Sequence, residues 1–327
     1  MARPSSCEAA SSARTSGWAP GSRRAIGASS SRPSSSFSSA AVAVVAPAGQ
    51  VRQLQSGIDE RRPGAFTLSP YGSAEAARAA LLEREVDAVL VPGEGRLVVA
   101  SAGGHTGATV ITAAFQGAAQ AQGRTLKVED AVPLPPGDAG GISGMFYVLS
   151  VLLPGIALAV LLARVAPGLG ATARTGVLAA GALVTGTAVA WLADVVFGAL
   201  PGRFGPLVAV SAGIALAVGL VVAGLVKVIG TPGVGVAALL FVPIGLPASG
   251  GPLGARYIPE WYAAVGRILP VGPAAEAVRN TVFFGGAALW TPVGVLALWA
   301  LLGLVLLALP GRRAQPAPAA PRTPVAV

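Results

Sequence analysis

With 327 residues, 53% of them hydrophobic and 11% charged, the chain has membrane composition and room for two domains. Its net charge of +9 comes from singly scattered bases with few aromatics between them, which argues against a nucleic-acid partner. One cysteine, Cys7, and one histidine, His105, exclude a disulfide framework and a zinc cluster, and neither Lys127 nor Lys227 sits in a G-x-x-x-x-G-K-S/T loop. The sequence thus calls for no cofactor and reads as a non-enzyme; any ATP hydrolysis belongs to another subunit.

Residues 1–40 are rich in Ser, Arg, Ala and Pro and cannot pack a core. Three readings stand: a disordered cytoplasmic tail, a secretory signal whose only apolar run is 40–46, and a misassigned start. The third rests on codon arithmetic. In GC-rich DNA a leucine run read one base out of frame becomes poly-Ser, so this stretch is expected to replace a lost first membrane helix. An apolar run of about 20 residues in another frame is the test.

From residue 41 strands and helices alternate. Residues 42–46 form a β-branched run ended by Pro47, 50–58 reads as a helix and 66–68 as a second strand. Ser73 is placed to cap a helix over 74–85, with Glu75 in its first turn and Ala77, Leu81 and Leu82 on one face. Strands over 86–91 and 96–100 flank the turn Pro92-Gly93-Glu94-Gly95. A helix over 106–122 sets Val110, Ile111, Ala114, Phe115 and Ala118 on one stripe, and 126–132 closes the unit. The order β-α-β-α-β-β-α-β predicts a small α/β domain over 41–140. Gly103-Gly104-His105-Thr106-Gly107 opens its third helix; such a start serves as a turn and cap, and can also hold an anion.

A Pro-rich linker, 133–141, leads into a region that is almost wholly apolar, Gly or Pro. Runs at 144–163, 176–196, 206–226 and 291–309 each match the ~20 residues that cross a bilayer as a helix. A shorter run at 234–247 makes a fifth. The expected fold is a membrane α-helical bundle with five visible spans over 141–310. Taking the first span inward places Arg164, Arg174, Lys227, Arg312, Arg313 and Arg322 in the cytoplasm, the last three on a tail at 311–327. Outside stand Arg203, Arg256, Arg267 and Arg279 with Glu260 and Glu276. This positive-inside bias makes the α/β domain extracytoplasmic and the chain a multi-pass plasma-membrane protein. Small residues four apart on the second span, Gly176/Ala180, Gly181/Thr185 and Ala182/Gly186, suit close packing within the bundle or against another subunit. Asp194 is the one acid inside a span. It is either a functional intramembrane carboxylate or a solvated interfacial group met by Arg203.

Residues 248–289 are too polar to span and too apolar for a free loop. Pro259 starts a short helix carrying Trp261 and Tyr262, and Pro273 starts a second, with Glu276, Val278, Arg279 and Phe283, before Gly285-Gly286. An outer hairpin over 256–286 is expected at the membrane interface.

This layout resembles the type-2 ABC exporter permeases, which have six spans and a short helical hairpin dipping in before the last. The stretch Leu269-Pro270-Val271-Gly272-Pro273-Ala274-Ala275-Glu276-Ala277-Val278-Arg279 resembles that family's Pro-to-Arg segment, and the α/β domain resembles the phage-infection-protein-like branch. The resemblance implies a permease subunit that pairs with a second copy or sister permease and with a separate ATP-binding subunit, moving a lipidic or amphipathic substrate by alternating access. It places the ATPase-coupling loop at 164–174, bounded by Arg164 and Arg174. The chain departs from the family in showing no first span, no amphipathic helix before it, and no acid in that loop. The competing expectation is a non-transporting envelope protein, with the bundle as anchor and the α/β domain binding a partner.

Overall fold

The computed structural model describes residues 39–200, 202–251 and 258–310. The expectations for the first 38 residues and for the tail at 311–327 lie outside them. The first described element is strand β1, Ala40–Val45, followed by helix α1, Ala48–Arg61, and strand β2, Phe66–Tyr71. Helix α2, Ala74–Leu82, leads to strands β3, Ala88–Val91, and β4, Arg96–Val99. Helix α3, His105–Gln120, and strand β5, Lys127–Asp130, complete the expected order.

The five strands form one sheet in the order β2-β1-β3-β4-β5. The helical crossovers make β1 parallel to β2 and β3, and β5 parallel to β4. Only β3 and β4 are antiparallel, because a turn ending at left-handed Gly95 joins them directly. Central β1 is buried on both faces, which is why it reads as an unbroken apolar run. On one face Val51 of α1 and Ala108, Ile111 and Phe115 of α3 pack the core, with the Phe115 ring edge-on to Phe66 at 5.5 Å. On the other lie Ala77, Ala80 and Leu81 of α2.

Two predicted faces need correction. Leu82 is 40% exposed and Ala80 takes its place, since α2 ends at Leu82 and the chain turns away through left-handed Arg84. Ala118 is exposed, and the buried α3 stripe is Ala108, Ile111 and Phe115. The Ser73 cap is as expected, its Oγ accepting from the Ala76 N–H at 3.1 Å.

The rest is helical. Among the described residues four helices are long and apolar enough to cross a membrane: α4, Ser143–Val165; α5, Ala171–Trp191, continued by a wide π turn to Val196; α6, Phe204–Ile229; and α11, Trp290–Ala308. The chain is therefore a membrane-embedded multi-pass protein with a small mixed-sheet domain. Helix α6 is the axis. It is 67% buried along its apolar window, against 33% or less for the other three, whose outer faces carry Leu153, Leu183, Val184, Leu298 and Leu301. Neighbours approach α6 over residues without side chains. A Cβ at Gly155 would lie 2.8 Å from the Ala215 carbonyl oxygen, and one at Gly303 2.5 Å from the Leu220 carbonyl carbon. On α5, Gly186 meets Ala212 and Val208 of α6 and Gly181 meets Leu158 of α4, so those predicted pairs pack the bundle, while Gly176 faces open space.

The predicted fifth span does not reach span length as one helix. Between Pro232 and Ala248 the 17 apolar residues divide into α7, Pro232–Leu239, a π turn over Leu240–Gly245, and the short α8, Leu246–Ala248. Pro243 and Pro247 have no N–H for the helical ladder, which accounts for the break. The segment starts beside the end of α6, where a Cβ on Gly233 would meet Leu225, and it leads to Gly251, beside Met145 in the first turn of α4. Two further helices, α9, Glu260–Ile268, and α10, Val271–Phe283, precede α11.

Candidate functional site

Pro259 and Glu260 open α9, and Pro270 ends it, since the residue before a proline is pushed out of helical geometry. Trp261 is 70% exposed; Tyr262 packs against it with ring centroids 5.2 Å apart and donates its hydroxyl to the Ile244 carbonyl at 3.2 Å. The hairpin turn is fixed by Trp299, whose indole N–H donates to the Ile268 carbonyl at 2.7 Å and whose ring stands edge-on to Phe241 at 5.9 Å. Trp299 is midway along α11. The turn between α9 and α10 therefore lies level with the middle of a spanning helix. The hairpin is thus tied to that helix at its turn.

Helix α10 leads from that turn to the sheet domain. Val271, Ala274, Ala277 and Val278 are buried among the spanning helices. At its far end Phe284, 8% exposed, inserts into the α2 face of the sheet domain beneath the Arg84 guanidinium, 4.8 Å from the ring centroid. One 13-residue helix thus joins the interior of the bundle to the α/β domain.

A cavity of about 340 Å³ lies beside that joint. Its α10 wall carries Glu276, Arg279 and Asn280. Arg84 and Asp87 come from the turn after α2, and Gly103, Gly104 and Gly107 from the start of α3. Arg84 also donates to the Gly103 carbonyl at 3.4 Å, and Asp87 accepts the Ala41 N–H at 2.8 Å. Arg279 makes no hydrogen bond or ion pair among the described residues. What surface it shows faces this cavity and a smaller one on the other side of α10. Asn280 is 3% exposed; its amide nitrogen reaches the Ala288 carbonyl at 3.4 Å and its Oδ1 has no partner.

The other predicted residues are spread over the molecule. Arg164 is exposed at the end of α4. Arg174 is 6% exposed and donates to the Ala166 and Pro167 carbonyls at 3.1 and 3.3 Å, so it braces the α4–α5 loop from within while Arg164 faces outward. Asp194 accepts the Gly202 N–H at 2.9 Å, and Arg203, expected to meet it, lies beside Gly285 instead. Among the described residues no three His, Cys, Asp or Glu side chains are grouped to hold a metal ion.

Sequence reading missed Arg84, Asn280, Phe284 and Trp299. The available signal was an Arg-Asn pair followed by two Phe at the end of a helix that carries few other polar groups. Compared with models of protein families, with curated proteins and with solved structures, the chain matches none.

Proposed function

We propose that this chain is the membrane-spanning subunit of an ABC-type exporter, seated in the plasma membrane with its sheet domain outside. A separate ATP-binding subunit drives it, and it pairs with a second copy or a sister permease. In this reading the segment Pro232–Ala248 is a fifth crossing, supported by its start beside the end of α6 and its lead to the first turn of α4. The observation that carries the proposal is the α9–α10 hairpin, tied at its turn to the midpoint of α11 by Trp299 and seated at its other end against the sheet domain by Phe284; in this reading it is re-entrant.

Alternating access requires packed elements with two arrangements. Glycine contacts such as Gly155 on Ala215 and Gly303 on Leu220 let backbones slide without dislodging side chains. ATPase closure would act on the loop between α4 and α5, where Arg164 is the outward contact and Arg174 holds the loop's shape. A largely apolar interior suits a lipidic or amphipathic substrate.

The test is to express the chain from its native locus with upstream DNA intact, purify it in mild detergent, and look for an ATP-binding subunit. The expected result is a stoichiometric ATPase whose activity changes in the complex and whose association is weakened by Arg164→Glu. A correctly inserted chain that carries no ATPase overturns the proposal in favour of an anchored envelope protein.

A further inference from the structure

The geometry points to the cavity between α10, the turn after α2 and the start of α3 as a binding site for the singly charged phosphodiester headgroup of a membrane lipid, held by Arg279. Three independent features converge there. Arg279 has no hydrogen-bond or ion-pair partner among the described residues and lines this cavity. A half-buried guanidinium is stabilised by an anion or acceptor, and the cavity it lines is where one would sit. Asn280, the next residue, lines the same cavity and carries a buried Oδ1 without a partner. The amino-terminal end of the 16-residue α3 adds positive potential from the opposite wall.

The charge of the ligand follows from the lining. Among the described residues Arg84 and Arg279 stand against Asp87 and Glu276, so these side chains balance and the partial charge of α3 remains. That suits one negative charge better than the two of a phosphate monoester. Arg84 and Asp87 are already engaged, with Gly103 and Phe284 and with the Ala41 N–H. Their part is electrostatic, and direct contact falls to Arg279.

The source follows from the level of the cavity. Ala288, Thr291 and Pro292, at the start of spanning α11, form one edge, and Trp290 between them is 91% exposed. An exposed tryptophan at the first residue of a spanning helix marks the headgroup layer. Ile111, Leu81 and Phe284 give the remaining wall an apolar character. The volume, about 340 Å³, is of headgroup size. This site stands whether or not the chain has an ATPase partner.

The test uses the full chain in non-ionic detergent, titrated by native mass spectrometry with three probes. These are dioctanoyl phosphatidylglycerol, dioctanoylglycerol with the same tails, and glycerophosphoglycerol with the same headgroup. The phospholipid should bind at least roughly tenfold tighter than either other probe, and Arg279→Gln should lose roughly that factor. Arg279→Lys should retain part of it, which guards against a folding defect in the glutamine variant. Arg52→Gln, on an exposed arginine of α1, should change nothing. Equal binding of dioctanoylglycerol, or unchanged phospholipid binding in both Arg279 variants, overturns the site. Equal binding of the tail-free headgroup overturns the lipid source.

Discussion

Replacing Gly303 by alanine tests a close backbone contact between α11 and α6. A Cβ there would stand 2.5 Å from the Leu220 carbonyl carbon, 2.6 Å from the Val221 nitrogen and 2.7 Å from the Leu220 Cβ. All three belong to backbone or its first side-chain atom, so no rotamer change relieves them. Ordinary contact needs a separation of about 3.5–4 Å, and α11 must therefore move off α6 by about 1 Å. That gap forfeits a quarter to a half of the local dispersion energy and loosens the return contact of Gly224 with Leu306. Overpacking of this kind costs about 1–3 kcal/mol. Gly294, on the same helix, has nothing within 4 Å of its Cβ position, and there alanine should stabilise by up to about 1 kcal/mol through helix propensity. The same propensity gain applies at Gly303, so unfolding of the two variants in mixed micelles, followed by helical circular dichroism, should separate them by the overpacking cost, about 1–3 kcal/mol. If Gly303→Ala proves as stable as Gly294→Ala, α11 does not lie on α6 as described.

Three further outcomes follow from particular contacts. Ser211→Ala should cost about 1–3 kcal/mol by stranding the buried Tyr147 hydroxyl, now 2.5 Å from the Ser211 Oγ; adding Tyr147→Phe should recover much of it in a double-mutant cycle. Phe284→Ala should cost about 3–5 kcal/mol, and Phe284→Leu much less; hydrogen exchange should then speed up in α2 and around Ala102 rather than throughout the bundle. The Arg78 hydrogen bond, with Arg96 assisting, holds the Glu129 carboxyl below its usual 4.5, so this group's contribution is present above that pH and lost as pH falls below it. Arg78→Ala should therefore flatten the acid side of the sheet domain's pH–stability profile; an unchanged slope would remove Glu129 from the account.

Local pattern carried the fold where neighbours in sequence decide the outcome. The eight-element order of the α/β domain was readable because each crossover has its own cap or turn, Ser73 and Gly95 among them. The four long spans were readable because length and hydropathy alone define them. The segment between Pro232 and Ala248 shows where that fails. Hydropathy reports a run of apolar residues, while its two prolines decide that the run is assembled from pieces. Faces were read less well than elements. Leu82 looks like core in a helical projection, and only the turn through Arg84 exposes it.

The candidate site was legible one wall at a time. The α3 start was recognisable as an anion-holding geometry, and Arg279 and Glu276 as polar residues on an apolar hairpin, about 170 positions further along the chain. Nothing local says that these two meet. What brings them together is α10, whose preceding turn is anchored by the Trp299 bond to Ile268 and whose far end is anchored by Phe284 in the sheet domain. A change at the hairpin turn must therefore be felt at Arg279, since a packed helix transmits displacement rather than absorbing it. In the proposed transporter, rearrangement around the middle of α11 would move the guanidinium relative to Arg84 and the α3 start, coupling the bundle's state to the grip on a headgroup. Trp299→Phe, which keeps an aromatic ring against Phe241 but removes the indole donor, isolates that link. Phospholipid affinity at the cavity should fall severalfold although Trp299 does not line it, and unchanged affinity would show that α10 does not carry the coupling.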